Sequence, residues 1–312
     1  MNSLAVAPRL ASLSIDLDAL AHYHRIHGLD EPRLAEDPVY LKGAERFGEL
    51  CARLGVKGTV FCVGQYLKEE GAARAVRLLA EGGHEIANHS LSHDYALSRH
   101  PPQAILAEIR GGAEAVTQVA GRRPVGFRAP GYTLSSQLLA VLLAEGYRYD
   151  ASAFPAAPYY LAKAAVLFAR RLVGRPSAAI LDRPRVLFAP RVPYRPHVRE
   201  PYAKGEAELI ELPVATGLFA LPLTGAFISL APRQAVRLVA RALLSRPLLD
   251  LELHGLDLLD RTEVPPALPA FQPELRVPLE LRLSRLAAFV GDHRDRSWVP
   301  LAEAADELRV TA

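Results

Sequence analysis

Short apolar runs alternate with amphipathic stretches through the first half of the chain. The runs at 10–16, 59–63, 84–87, 125–128 and 147–152 predict strands. Between them, apolar positions recur at helical spacing over 44–54, 72–81, 102–119 and 135–145. Three of these predicted helices end at a glycine (Gly55, Gly82, Gly146), the residue that best adopts the left-handed turn at a helix C-terminus. Pro101-Pro102 suits a first helical turn, where a missing N–H costs nothing. Strand, helix, strand in regular order is the pattern of a parallel sheet or barrel.

The regularity breaks after Ser152. Residues 153–208 hold many of the 25 prolines and predict an irregular insertion around one helix, 159–173. Strand-like runs resume at 209–214, 226–230 and 248–254, with helical patterns at 232–244, 275–290 and 301–308. Neither an internal repeat nor a linker interrupts the pattern, so 1–312 reads as one α/β domain.

Composition narrows the picture a little. Half the residues are apolar, enough for a large core, yet no uninterrupted apolar run reaches the ~18 residues of a membrane span. The opening MNSLAVAPRL leads almost at once into the first strand without the pattern of a secretory signal, and the expected location is cytoplasmic. Cys51 and Cys62 are too few for a disulfide framework and read as buried free thiols. The net charge is only +3 and the basic residues are scattered, which argues against a nucleic-acid partner.

Four local patterns carry chemistry. His89-Ser-Leu-Ser-His93 follows a predicted strand, and a helical turn there would aim both rings at one point; a metal pair and two structural histidines are both open on spacing alone. Asp16 and Asp18 end the first strand on the same side. Two carboxylates so close call for a metal, a cation or a shared proton, unless the strand end is simply solvated. Arg128 stands at another strand end, before a Pro130-Gly131 turn whose backbone N–H groups could approach a ligand. Finally, the run Leu251-Glu-Leu-His254 delivers a histidine at the end of a buried strand, where a structural role is the plainer reading.

Taken in order, Asp-x-Asp, GGHEIANHSLSH, FRAPGY, YDASAFP and LELHG resemble the NodB-type polysaccharide deacetylases, carbohydrate esterase family 4. The resemblance spans Ser14 to His254. It is closest to a cytoplasmic-type subgroup that carries Asp-x-Asp where other members have adjacent aspartates. It implies a distorted (β/α)7-8 barrel with its site at the C-terminal ends of the strands. It also implies one divalent metal, with zinc first and cobalt, nickel or manganese as alternatives, held by Asp18, His89 and His93. Asp16 would be the general base, Arg128 its partner, and His254 the acid that protonates the leaving amine. The backbone N–H of Tyr132 would help bind the oxyanion, and Asp150 would support the Arg128 neighbourhood. Asp257 and Asp260 follow His254 closely in the chain and could tune it, with a plain surface charge the expected reading for at least one of them. The implied reaction is hydrolysis of an N-acetyl or N-formyl group on an amino sugar, a glycan or a lipid-linked sugar. A related hydrolase of small linear or cyclic amides is one rival, and a non-catalytic carbohydrate-binding protein on the same fold is another.

Two stretches lie outside those motifs. His22, His24 and His27 fall in an expected loop over the site mouth, where His22 and His24 could contact a polar or anionic substrate group, join a second metal, or be solvated. Over 159–173, Leu161, Ala165, Phe168 and Leu172 form one apolar face, with Lys163, Arg170 and Arg171 largely away from it. Packing against the barrel is the expected use of that face, and contact with a membrane surface is the alternative.

Overall fold

The computed structural model describes residues 9–32, 34–172, 174 and 177–309. The chain runs through β1 (Leu10–Leu17), α1 (Leu20–His27), α2 (Ala44–Leu54), β2 (Thr59–Cys62), α3 (Glu70–Glu81) and β3 (Glu85–Asn88). It continues with α4 (Pro102–Ala120), β4 (Gly126–Phe127), α5 (Ser136–Ala144), β5 (Tyr149–Asp150) and α6 (Ala157–Leu172). Then come the hairpin β6 (Pro196–His197) and β7 (Glu200–Lys204), β8 (Ile210–Glu211), α7 (Gly225–Leu230) and α8 (Arg233–Ala240). β9 (Leu248–His254), α9 (Leu279–Asp292), β10 (Ser297–Trp298) and α10 (Leu301–Arg309) complete it.

The strands β9, β1, β2, β3, β4, β5 and β8 lie side by side, all parallel, and β10 joins the start of β1. The sheet curls into a barrel with an incomplete seam between β8 and β9. That seam is bridged by the Ala215 N–H donating to Asp250 O at 3.1 Å and by a Thr224–Glu252 bridge. The alternation predicted a parallel sheet or barrel, and the distorted barrel is the form the resemblance implied.

β1 and β9 set the interior. Their register pairs Ser12 with Asp250, Ser14 with Glu252 and Asp16 with His254. Since side chains alternate, these polar residues share the inner face. Leu13, Ile15, Leu17, Leu249, Leu251 and Leu253 take the other face and join one core cluster with Phe47, Leu50, Val76 and Leu286 of the surrounding helices. Each such side chain contributes roughly 1.5–3 kcal/mol by leaving water. The polar row is thus carried on strands fixed from behind by apolar packing.

Three expectations need correction. Residues 226–230 form helix α7 and not a strand, with the Thr224 hydroxyl accepting the Phe227 N–H at its start. A short apolar run does not by itself distinguish the two. The expected loop after Asp18 is helix α1, whose unpaired Leu20 N–H is taken by Asp37 Oδ2 at 2.7 Å. The helix predicted at 159–173 is α6, whose apolar face does not pack on the barrel: none of its residues is buried. Val173 lies outside the described residues. Residues 153–208 otherwise hold a 3-10 turn at Pro184–Phe188 and the β6–β7 hairpin.

Candidate active site

The polar row of β1 and the loop after β3 meet at the C-terminal end of the barrel. His89 and His93 do reach one point, but not through a helical turn. Ser90 and His93 have left-handed backbones (φ 66° and 58°), and Ser90 Oγ accepts the His93 N–H at 3.0 Å. The loop is further pinned by Ser92, whose N–H and hydroxyl both donate to Glu108 at 2.9 Å. Helix α4 approaches the same loop at Gly112, where a Cβ would stand 2.2 Å from Asn88 Oδ1 and 2.8 Å from the Ser90 backbone.

The result is a compact set of ligand atoms. Asp18 Oδ1 lies 3.3 Å from His89 Nε2 and 3.0 Å from His93 Nε2, and one atom from each of the three residues falls within 4.8 Å of the others. Ligands placed tetrahedrally about zinc at ~2.0–2.2 Å stand roughly 3.3–3.6 Å apart. His89 Nδ1 donates to Arg128 O at 2.6 Å, which leaves its Nε2 lone pair facing Asp18. Asp18 Oδ1 and both His93 ring nitrogens are buried without a hydrogen-bond partner among the described residues. Burial holds the His93 ring below its ordinary pKa, favouring the neutral, ligating form. A divalent cation fits this donor set, because it would satisfy the atoms the fold leaves unpaired.

Arg128 is fully buried beside it. Its Nη1 donates to Asp16 Oδ1 at 2.7 Å, its Nη2 to Asp250 Oδ2 at 2.7 Å and to Ser14 Oγ at 3.1 Å, and its Nε to Ala151 O at 2.9 Å. The guanidinium also lies over the Phe61 ring, 4.2 Å from its centre. Asp16 Oδ2 is left on the ligand side, 3.9 Å from His89 Nε2. Burial pushes Asp250 up to about 6, partly opposed by Arg128.

His254 stands beside Asp16 across the β1–β9 pairing. Its Nδ1 meets Glu252 Oε1 at 2.8 Å, so Nε2 points inward, 3.4 Å from the Tyr132 hydroxyl and 3.8 Å from Asp18 Oδ2. Burial opposes the charged ring, but Glu252, followed by Asp18 and Asp16, outweighs it and holds His254 well above its ordinary pKa.

Asp250 and Glu252 were not among the expected residues. Their signal is the alternation Leu-Asp-Leu-Glu-Leu-His, which puts both on the face of His254. Asp257 braces His254 through a reciprocal cap in which its Oδ2 accepts the His254 backbone N–H at 2.9 Å. Asp260 instead caps the next turn by accepting the Thr262 N–H.

Some other placements differ. The Tyr132 N–H donates to Ala129 O at 3.0 Å, and the polar group the residue turns towards the site is its hydroxyl, 3.4 Å from His254 Nε2. Asp150 bears on the Arg128 neighbourhood through a hydroxyl bridge. It accepts from Ser152 Oγ at 2.6 Å, and that oxygen accepts the Ala129 N–H at 2.7 Å, so Asp150 braces the segment after Arg128. His22 and His24 are 0% and 4% exposed and do not line an open loop. The His22 ring backs His93 at 4.3 Å and its Nδ1 accepts from Arg25, while His24 Nδ1 bonds Asp30 O. Neither joins a second metal set: among the described residues, the candidate groups are Asp18, His89, His93 and Asp16, Glu252, His254.

Comparison with known proteins agrees with this geometry. Residues 37–149 match the polysaccharide deacetylase family model. The chain is 24% identical over 159 residues to a peptidoglycan deacetylase of Helicobacter pylori, covering 49% of this chain and 53% of that one. It is 33% identical over 114 residues to a peptidoglycan deacetylase-like protein of Gibberella zeae, covering 35% and 32%. The chain thus spans about half or less of the curated relatives it matches. Two solved structures share the fold over nearly the whole chain. A candidate polysaccharide deacetylase of Mycobacterium smegmatis has TM-score 0.62 at 19% identity, covering 99% of this chain and 93% of that one. Another from Pseudomonas aeruginosa has TM-score 0.59 at 16% identity, covering 97% and 91%. The matched segment contains His89, His93 and Arg128, and the fold brings Asp16, Asp18 and His254 to them. Residues 37–149 therefore resemble the polysaccharide deacetylase family, within a barrel whose fold matches those two structures almost end to end.

Proposed function

We propose that this chain is a metal-dependent hydrolase that removes an N-acetyl or N-formyl group from an amino sugar, in the Asp-x-Asp subgroup of the family. One observation carries the reading. A carboxylate held by arginine and a histidine held by glutamate both adjoin a candidate three-residue metal-ligand set.

Asp18, His89 and His93 would hold the ion, with zinc favoured by a donor set of two imidazoles and one carboxylate. A bound divalent metal supplies Lewis acidity, which polarises an amide carbonyl and makes water acidic enough to yield a nucleophile near neutral pH. Asp16 Oδ2, the oxygen not engaged by Arg128, takes the proton from the attacking water. The water oxygen bonds to the acyl carbon, and the C–N bond then breaks. His254 Nε2 gives its proton to the departing nitrogen, and Glu252 keeps the ring charged and oriented for that step. The products are a free amine and a carboxylate. The Tyr132 hydroxyl stands where it can donate to the developing oxyanion.

The test is amine release from N-acetylated and N-formylated sugars, both nucleotide-linked and lipid-linked, with small cyclic amides and ureides alongside. The sugars should yield amine with metal present and not after chelation. Turnover of the small amides alone would refute the sugar reading, and turnover of nothing would leave a carbohydrate-binding protein as the better account.

A further inference from the structure

Helix α6 is amphipathic in the wrong sense for a helix packed on a barrel. Its outward side carries Leu161, Phe168 and Leu172, which are 64%, 64% and 71% exposed, with Ala165 between them and Val166 exposed beside them. Two of its cations turn inward, Lys163 Nζ donating to Gly131 O at 3.3 Å and Arg170 lying near His27, while Arg171 is exposed. Beside α6 packs the 3-10 turn Leu218–Ala220, in which Phe219 is 86% exposed on a left-handed backbone (φ 55°). A bulky residue rarely adopts that conformation, so the turn holds an aromatic ring out in water at some cost.

Charge identifies what covers this face. No Asp or Glu occurs between Asp150 and Asp182, while Lys163, Arg170, Arg171 and Arg175 all do. The stretch thus carries four positive charges in a chain whose whole net charge is +3. Arg170 Nε and Nη2 are buried with no acceptor among the described residues. A second copy of the chain would fit poorly, because a symmetric contact would oppose one cationic patch with another. Exposed apolar side chains beside the exposed Arg171, on a stretch of chain with no acidic residue, match an anionic lipid surface.

The helix also adjoins the site. Its Tyr159 ring lies 5.0 Å from Phe154, which lies 5.1 Å from Tyr132, whose hydroxyl meets His254. We propose that α6 and Phe219 insert shallowly into an anionic phospholipid surface and hold the mouth of the site against it. The substrate class that follows is an N-acylated sugar on a lipid anchor. That last step rests on the function proposed above, whereas the binding itself does not.

Sedimentation of the full chain with vesicles tests the binding separately from any activity. It should pellet with phosphatidylglycerol–phosphatidylcholine vesicles at low salt and at least roughly tenfold less with phosphatidylcholine alone. Phe168→Ser/Leu172→Ser should weaken binding by about tenfold or more with an unchanged circular dichroism spectrum, and Arg170→Gln/Arg171→Gln should reduce the salt dependence. No pelleting with anionic vesicles would overturn the proposal. So would equal binding by both double variants, or a concentration-dependent dimer of the parent that the Phe168→Ser/Leu172→Ser variant abolishes.

Discussion

Arg128 Nη1 donates to Asp16 Oδ1 at 2.7 Å where neither side chain reaches water. The same guanidinium holds Asp250 at 2.7 Å and so pairs with two carboxylates. Arg128→Met should leave both acids unpaired and cost about 3–5 kcal/mol of stability, read from urea denaturation. Arg128→Lys keeps the charge but loses the forked geometry. It should retain most of the stability while kcat falls about 100-fold. Equal kcat in Arg128→Lys and parent would show that orientation of Asp16 is not what the arginine supplies.

Glu252 and His254 set the alkaline limit of activity. Glu252 holds the ring well above its ordinary pKa, so the proton-donating form persists to higher pH than a free histidine allows. In Glu252→Gln the alkaline limb of kcat/KM should move to lower pH by at least about one unit. Stability follows the same sign. The raised folded pKa stabilises the fold fully below the unfolded value of about 6.5. That contribution fades as pH rises through the folded value. Denaturation across this window should therefore show a loss of stability in the parent that Glu252→Gln lacks.

Gly112 makes a prediction about residues that never touch the ion. A methyl group there collides with Asn88 Oδ1 and the Ser90 backbone, so Gly112→Ala should displace the loop carrying both histidines. Metal affinity should fall roughly 10- to 100-fold, the usual scale for damage just outside a ligand set. Competition against a chromophoric chelator measures it, and an unchanged affinity would show that the loop tolerates the shift.

Bound metal should also stabilise the fold, since Asp18 and His93 have buried atoms that nothing else satisfies. Zinc at about 1,000 times its Kd adds roughly 4 kcal/mol when only the folded state binds it. Adding zinc to chelator-stripped protein should raise Tm by several degrees, and His93→Ala should abolish the rise.

Much of this was legible in the chain, and the exceptions have physical causes. Strands that carry their own alternation and helices with local end signals were placed within a few residues. Helix α1 was missed because its cap is Asp37, far along the chain. β10 was missed because it is only two residues long and owes its form to pairing with Leu10 and Ala11. In the site, motif order singled out Asp16, Asp18, His89, His93 and His254 as candidates, with Arg128 as the partner of Asp16. It did not single out Asp250 or Glu252, the further partners of Arg128 and His254. Asp250 and Asp150 are both near Arg128 in the fold, yet only register on β1 shows that Asp250 is the partner. The apolar stripe of α6 was visible too, but whether it faces the barrel or water is decided by tertiary packing.

Asp16→Asn tests the central claim most directly, with metal content and turnover measured on the same sample. The substitution preserves shape and leaves Asp18, His89 and His93 intact. It should retain one equivalent of metal while N-acyl hydrolysis falls by at least about 1,000-fold. A variant that keeps its metal and hydrolyses at the parent rate would contradict the account.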